Sequence, residues 1–149
     1  LTKKLGAVHI RTDDIRVELR NQGKSYAQAV HIATSKRNEA LARDRSVICD
    51  FDAVLPIRQR ELAVVARKFK ANFFLIHIQT PPSLIIRRLR SHRYTARDFF
   101  INAEEAIRVY HIRRKLHEKQ LQAKADFVIS NDKPLAPQIQ KIVNAIKGL

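Results

Sequence analysis

The sequence predicts an α/β fold, a three-layer sandwich in which helices cover both faces of a parallel sheet. Short apolar runs alternate along the chain with longer segments of helical period, and this alternation is typical of βαβ units. The runs within residues 46–50 and 73–78 are continuous in apolar residues, which predicts strands buried on both faces. The length suits one ordinary domain, so we expect a single domain over residues 1–149.

The first half of the chain opens with the end of a helix. Residues 1–5 have the pattern of last helical turns, and Gly6 is well placed as the C′ residue. A strand is predicted at residues 7–10, a helix at about 13–20 and a second helix at about 25–43. The apolar positions predicted to form the inner face of that second helix are Tyr26, Ala29, Val30, Ala33, Ala40 and Leu41.

The second half continues the alternation. Pro56 suits the first turn of a helix, and another helix is expected to start at Pro82, after the strand at residues 73–78. A long helix is predicted over about residues 101–122, and a last strand over 127–129. A closing amphipathic helix is indicated by Leu135, Ile139, Ile142, Val143 and Ile146.

Composition restricts the class of partner. The formal charge of +15 and the pI of about 10.7 indicate polyanions: nucleic acid, nucleotides or phosphorylated substrates. Cys49 is the one cysteine, so no internal disulfide can form, and a buried structural thiol in a reducing compartment is expected. No apolar run approaches the roughly 20 residues of a membrane helix and no signal peptide is visible. We therefore expect a cytoplasmic protein without a membrane partner.

A zinc site is not expected. No two of the six histidines are spaced four residues apart, and a single cysteine cannot supply a thiolate cluster.

Candidate functional residues follow the predicted strands, because ligands of open α/β sheets bind beyond the carboxyl ends of the strands. After the first strand come Thr12, Asp13, Asp14 and Arg16. A carboxylate there can orient a hydroxyl acceptor and take its proton, and an arginine one turn later can hold an acceptor phosphate. Helix capping by Thr12 or Asp13 is the alternative.

The second strand is followed by Asp50 and Asp52. An acid directly after an apolar strand is the Walker B arrangement, in which the carboxylate reaches Mg²⁺ directly or through water. Asp50 lies too far upstream of Pro56 to cap the helix that begins there.

Arginines follow the third strand. Guanidinium groups suit bidentate contact with phosphate and can neutralise the charge of a transferring phosphoryl group. A solvated helix face is the alternative. The arginines are Arg87, Arg88, Arg90, Arg93 and Arg97. After the last strand, residues 130–134 are expected to form a turn that can lie beside the base of a bound nucleotide.

Together these strand ends resemble the P-loop small-molecule and polynucleotide kinases, in particular the branch of AAA-type small kinases that includes polynucleotide 5′-kinases and zeta-toxin-like kinases. The segments "LGAVHIRTDDIR", "SVICDFDAVLPIRQRE", "LIIRRLRSHRYTAR" and "ADFVISND" carry the resemblance, which runs over nearly the whole chain. Dephospho-coenzyme A kinases have a similar Asp-Asp-Ile segment and a similar final strand, so an enzyme of that kind is an alternative.

The resemblance implies roles for particular residues, with ATP and Mg²⁺ as cofactors. Asp13 is implied as the acceptor-side base and Arg16 as an acceptor-binding residue. Asp50 and Asp52 lie near the family's Asp-x-Asn. A short arginine-bearing lid is implied at about residues 90–100. The remaining implied residues are Arg58 or Arg60 for the substrate, Arg88 and Arg93 for the moving phosphoryl group, and Asn131 and Asp132 for the base.

One part of the family pattern is absent from the sequence, namely the Gly-x-x-x-x-Gly-Lys-Ser/Thr loop and the strand before it. Gly23-Lys24-Ser25 imitates the end of such a loop, but Glu18 occupies the place of its first glycine and a helix precedes it. The chain also has no methionine, so we expect an upstream segment. As written, it should not be a competent kinase.

The absent strand has a structural consequence. The resemblance places it in the middle of the sheet, between the strand near Val47 and the strand near Leu75. Without it, we expect two unpaired apolar edges or re-paired strands, and poor stability of the isolated chain.

The leading hypothesis is a fragment of an ATP-dependent kinase that transfers a phosphoryl group to a hydroxyl or phosphate acceptor on a nucleotide, a polynucleotide or a small molecule. The alternative from a different class is a non-catalytic basic domain that binds nucleic acid through its charge.

Overall fold

The computed structural model describes residues 1–50, 55–117 and 125–148. Helices and short strands alternate along these ranges. In chain order the elements are α1 Thr2–Leu5, β1 Val8–Arg11, α2 Thr12–Asn21, α3 Ala29–Ala42, β2 Val47–Asp50, α4 Pro56–Lys68, β3 Ile76–Gln79, α5 Pro82–Ser91, α6 Ala103–His117, β4 Phe127–Ser130 and α7 Leu135–Lys147.

The chain divides into two compact units. The first unit contains α1, β1, α2, α3 and β2 together with the segment Arg93–Ala106. The second unit contains α4, β3, α5, β4, α7 and the greater part of α6. A single domain over residues 1–149 stays a prediction.

The first unit is built on a parallel pair of strands. β1 and β2 pair from Val8↔Val47 to Arg11↔Asp50. Since side chains alternate across a strand, Val8 and Ile10 point to one face, where α2 and α3 pack. The core residues there are Ile10, Ile15, Leu19 and Ala29, with Val8, Ile32, Ala33 and Val47 packed against them. His9 and Arg11 therefore belong to the opposite face.

The second unit is also built on a parallel pair, β3 with β4, from Ile76↔Phe127 to Gln79↔Ser130. Asp126 fixes the start of this register, because its backbone N–H donates to the Leu75 carbonyl at 2.9 Å and its Oδ2 accepts from the Leu75 N–H at 2.7 Å. α7 packs on β4. The buried residues of these two elements are Ile129, Ile142 and Val143.

The parallel pairing agrees with the prediction, but the burial of the strands does not. Ile78 of β3 is 61% exposed, and no residue of β2 is fully buried. Among the residues that the structure describes, β2 pairs only with β1, and β3 only with β4. The mixed α/β fold with short parallel sheets is compatible with the predicted class, whereas the three-layer arrangement stays a prediction.

The second predicted helix begins later than expected. Ser25 Oγ accepts a hydrogen bond from the Ala27 N–H at 3.2 Å and caps a short 3₁₀ turn at Tyr26–Gln28, after which α3 starts at Ala29. The predicted inner face was wrong for Tyr26 and Val30, which are 44% and 56% exposed. The buried face of α3 follows Ala29, Ala33 and Ala40, and Val30 lies about 100° away from Ala29.

Two other boundaries also shift. β3 begins at Ile76 rather than at residue 73, because the Asp126 bonds place the first strand pair at Ile76↔Phe127. α6 begins at Ala103 because Asn102 Oδ1 accepts from the Glu105 N–H at 2.8 Å, as an N-cap does. The end of the predicted helix, residues 118–122, lies outside the described residues.

None of the helices in the described ranges is both long and apolar enough to cross a membrane.

Helix ends in this chain repeatedly use a left-handed residue. Gly6 has φ 62° and Gly23 φ 65°, while Asp44 and Lys70 hold φ 52° and 53° without being glycine. After Lys70, the Ala71 N–H reaches back to the Ala66 carbonyl at 2.9 Å, and the Lys70 N–H donates to Arg67 at 3.0 Å, which is a Schellman ending. The prediction of Gly6 as a C′ residue is confirmed.

Replacing Lys70 with glycine should stabilise the protein. A Cβ in the left-handed region costs roughly 1–2 kcal/mol, and the greater freedom of glycine in the unfolded chain offsets about half of that. We expect Lys70→Gly to raise the free energy of unfolding by about 0.5–1 kcal/mol in urea denaturation. The control Lys70→Ala keeps the Cβ and should match the parent protein. Equal stability of the two variants contradicts this account.

Candidate functional site

The carboxyl ends of β1 and β2 lie side by side, and Arg11 joins them. Its Nε lies 3.4 Å from Asp50 Oδ2, and its Nη1 lies 3.2 Å from Asp14 Oδ1. His9 Nε2 is 3.9 Å from the same Asp50 oxygen. The sequence interpretation gave Arg11 no role, although its place at the last position of a strand before two acids was the available signal.

Asp13 and Arg16 form a half-buried ion pair directly beyond this edge. Arg16 Nη1 donates to Asp13 Oδ1 at 2.7 Å, with side chains 30% and 49% exposed. α2 begins at Thr12 with no connecting loop after β1, so Asp13 lies in the first helical turn and Arg16 one turn later. The structure brings these two predicted residues together.

The capping alternative for Thr12 and Asp13 fits the structure poorly. The N-cap of α2 is Arg11, and no side chain makes a capping hydrogen bond there. Thr12 is a buried first helical residue, 7% exposed. Asp13 and Asp14 still suit the positive end of the helix dipole.

An aromatic ring lies against Arg16. The guanidinium carbon of Arg16 is 5.4 Å from the centroid of the Phe99 ring, within the range of a cation–π contact. Phe99 belongs to the segment Arg93–Ala106 of the same unit, which also carries the predicted residue Arg93. The sequence interpretation missed Phe99, because nothing local to residues 95–100 indicates a contact with α2.

The second unit carries the remaining described candidates. Asn131 Nδ2 donates to Thr80 Oγ1 at 3.1 Å and so links the ends of β3 and β4. Arg88 Nη2 donates to the Asn131 carbonyl at 3.4 Å. Arg58 forms an exposed ion pair with Glu61 on α4, at 2.9 Å. The roles assigned to these residues stay predictions, and Asp52 lies outside the described residues.

Three of the described side chains have perturbed acidity: Asp132, Cys49 and Tyr94, whose pKa is raised first by burial and then by the charge of Asp98. The pKa of Asp132 is lowered, first because the Ser130 hydroxyl donates to its Oδ1 at 2.8 Å, with smaller lowering from its own backbone N–H and the Lys133 charge. Burial raises the pKa of the Cys49 thiol, opposed by the charge of Arg37. At neutral pH Cys49 is therefore protonated and a poor nucleophile.

Magnesium usually binds one or two carboxylates, with waters and substrate phosphates as its other ligands. Over the residues described, no cluster of three or more His, Cys, Asp or Glu side chains suits a metal. Asp50 offers one carboxylate that is 62% exposed at the end of β2. Since Arg11 and His9 compete for that carboxylate, the donor set fits a magnesium ion that it contacts through water.

The phosphates of a nucleoside triphosphate are typically bound by a cradle of backbone N–H groups. No Gly-x-x-x-x-Gly-Lys-Ser/Thr segment occurs in residues 1–149. Residues 1–149 therefore lack the sequence pattern that supplies such a cradle.

A family model described as an AAA domain matches residues 1–109, which is 109 of the 149 residues. The match supports a nucleotide-binding family that is P-loop NTPase-like and AAA kinase-like. It ends within α6, before the final strand. Comparison with curated proteins and with solved structures gave no match in either case.

The pKa of Asp132 should depend on Ser130. Removing the hydroxyl in Ser130→Ala should raise this pKa toward its usual value, as followed by the carboxyl ¹³C chemical shift. Lys133→Ala is the matched control and should raise the pKa less, because its charge is the smallest lowering influence. A larger rise in Lys133→Ala contradicts the assignment. The pKa of Asp132 is lower in the folded protein than in the unfolded chain. Its carboxylate therefore stabilises the folded state at pH values above the unfolded-state pKa, and this stabilisation is lost as the pH falls through the folded-state pKa.

Proposed function

Because the chain belongs to the AAA domain family, we propose that it is the acceptor-binding portion of an ATP-dependent kinase. The whole kinase transfers a phosphoryl group to a hydroxyl or phosphate acceptor on a nucleotide, a polynucleotide or a small molecule. The observation that carries the proposal is the Asp13–Arg16 pair at the carboxyl end of β1.

Asp13 acts as the acceptor-side base in this proposal. Its carboxylate accepts the proton of the acceptor hydroxyl as that oxygen bonds to the γ-phosphorus of ATP and the bond from that phosphorus to the leaving ADP oxygen breaks. Asp13 is about half exposed, so an acceptor can reach it from solvent. One oxygen, Oδ1, accepts from Arg16, and the other oxygen is the one proposed to face the hydroxyl.

Arg16 holds the acceptor's phosphate. Its guanidinium has five N–H donors in a fixed fork, and the contact with Asp13 uses one of its two terminal nitrogens. The remaining donors suit bidentate contact with a phosphate group. Base and anchor thus lie one helical turn apart, which positions the hydroxyl of a phosphorylated acceptor beside Asp13.

The other candidates complete the proposal. ATP supplies the phosphoryl group and Mg²⁺ neutralises its charge when they are bound. Within the first unit, Asp50 supports the ion through water and Arg93 holds the moving group. The roles of Asp52 and Arg58 in substrate contact, of Arg88 beside the moving group, and of Asn131 and Asp132 at the base stay predictions. A phosphate-binding loop outside residues 1–149 is part of this proposal, and without one we expect no transfer.

The charge of +15 supports a second candidate, a basic domain that binds nucleic acid without chemistry. It predicts affinity for a single-stranded oligonucleotide that falls steeply with salt and does not respond to ATP. The kinase proposal predicts ATP-dependent labelling of an acceptor by the natural reading frame extended upstream of Leu1. The absence of a Gly-Lys-Ser/Thr loop from that reading frame would contradict the kinase proposal.

In that extended protein, Asp13→Asn should lower kcat by about 10²–10⁴-fold, because general-base catalysis typically contributes that factor. The matched control is Asp14→Asn, one residue along, whose carboxylate pairs with Arg11 and should leave kcat within about threefold. Transfer is measured with γ-labelled ATP. Oligonucleotide binding of both variants, by fluorescence anisotropy, should be unchanged or stronger. An active Asp13→Asn enzyme excludes Asp13 as the base.

A further inference from the structure

A loop of residues 95–100 docks on the helix that carries the acceptor residues. Arg20 makes the contact: its Nη2 donates to the carbonyls of Ala96 at 2.8 Å and Asp98 at 2.9 Å, and its Nη1 to that of Phe99 at 3.2 Å. Arg20 lies four residues after Arg16 and seven after Asp13, so all three project from one side of α2.

The docked loop is internally closed, which is why its carbonyls can converge. Asp98 Oδ2 accepts from the Thr95 N–H at 2.8 Å and from the Thr95 hydroxyl at 3.0 Å. The Asp98 N–H donates back to the Thr95 carbonyl at 3.0 Å. Three carbonyls around one guanidinium match the planar, multi-donor geometry of arginine, which a lysine ammonium does not reproduce.

This docking places the Phe99 ring under Arg16. The ring is supported by Tyr26 and Phe100, with centroids 6.1 Å and 5.1 Å from that of Phe99. Arg16 is therefore restrained on one side by its ion pair with Asp13 and on another by the ring face. Holding a long, flexible side chain in one orientation lowers the entropy that binding must remove.

We propose that Phe99, held in place by Arg20, is a positioning residue that presents Arg16 to the acceptor's phosphate. The inference rests on the proposed function, because it takes Arg16 as the anion-binding residue. It adds a coupling: the docked loop strengthens acceptor binding, and a bound acceptor strengthens docking of the loop by the same factor.

The test uses the 149-residue chain and inorganic phosphate as the probe, at fixed ionic strength. The readout is the Nε–H resonance of Arg16 in ¹H–¹⁵N NMR. Phe99→Leu keeps the bulk and removes the ring, so the Arg16 resonance should lose its ring-current shift and phosphate affinity should fall about fivefold. Phe99→Tyr should restore both. The control Phe74→Leu removes a ring that packs on Phe127 in the other compact unit and should alter neither.

Arg20→Lys provides a second variant that keeps the Phe99 ring. Loss of the three-carbonyl contact should release the loop, reduce the ring-current shift of Arg16 and weaken phosphate binding. Unchanged phosphate affinity in Phe99→Leu and Arg20→Lys, with Arg16 still responding to phosphate, overturns this inference and leaves the proposed function intact. A wild-type Arg16 resonance that phosphate does not move overturns both.

Discussion

The ion pair between Asp13 and Arg16 is the interaction on which the functional interpretation of this protein depends. The position of the pair follows from the backbone, because α2 begins directly after the last residue of β1 and no flexible loop separates the two elements. An i,i+3 pair of this exposure stabilises a helix by only about 0.3–0.5 kcal/mol. Its value therefore lies in orientation, because it fixes a base and an anion-binding group one helical turn apart at the edge where ligands of such sheets bind.

Several arginines in this strongly basic chain make contacts within the protein. Arg11, the last residue of β1, pairs with Asp50 at the end of β2 and with Asp14 in α2, and Arg20 binds three carbonyls of a loop. Arg58 is paired on its own helix. The net charge of +15 thus includes arginines that must break such a contact before they can bind a polyanion. A functional assignment from net charge alone is weaker than one from the half-buried pair at the end of β1.

Much of the fold follows from local patterns in the sequence. Within the described ranges, apolar runs and turn residues located each strand to within about three residues, and Gly6 marked the end of α1. What escaped prediction came from contacts distant in sequence. The start of β3 depends on Asp126, 51 residues from Leu75. The exposure of Val30 reflects a buried face set by small alanines of α3, which hydrophobicity alone does not distinguish.

In the candidate site too, local features were predicted from the sequence and contacts distant in sequence were missed. Asp13 and Arg16 were predicted as a pair because their spacing is a property of one helix. Phe99 and Arg20 were missed, since they meet across 79 residues and carry no local signal. Asp50 was predicted as a metal ligand from its position after a strand. Its ion pair with Arg11 could not be foreseen, because it depends on the register of β1 against β2.

The most direct test is a double-mutant cycle on Asp13 and Arg16, with kcat/KM for acceptor phosphorylation measured in the natural reading frame extended upstream of Leu1. The variants are Asp13→Asn, Arg16→Gln and the double substitution. If both residues act on one acceptor, their effects on the transition state should be non-additive by about 1 kcal/mol or more. Additivity to within about 0.5 kcal/mol, the value of an ordinary exposed helix pair, would contradict a joint role in acceptor binding and activation.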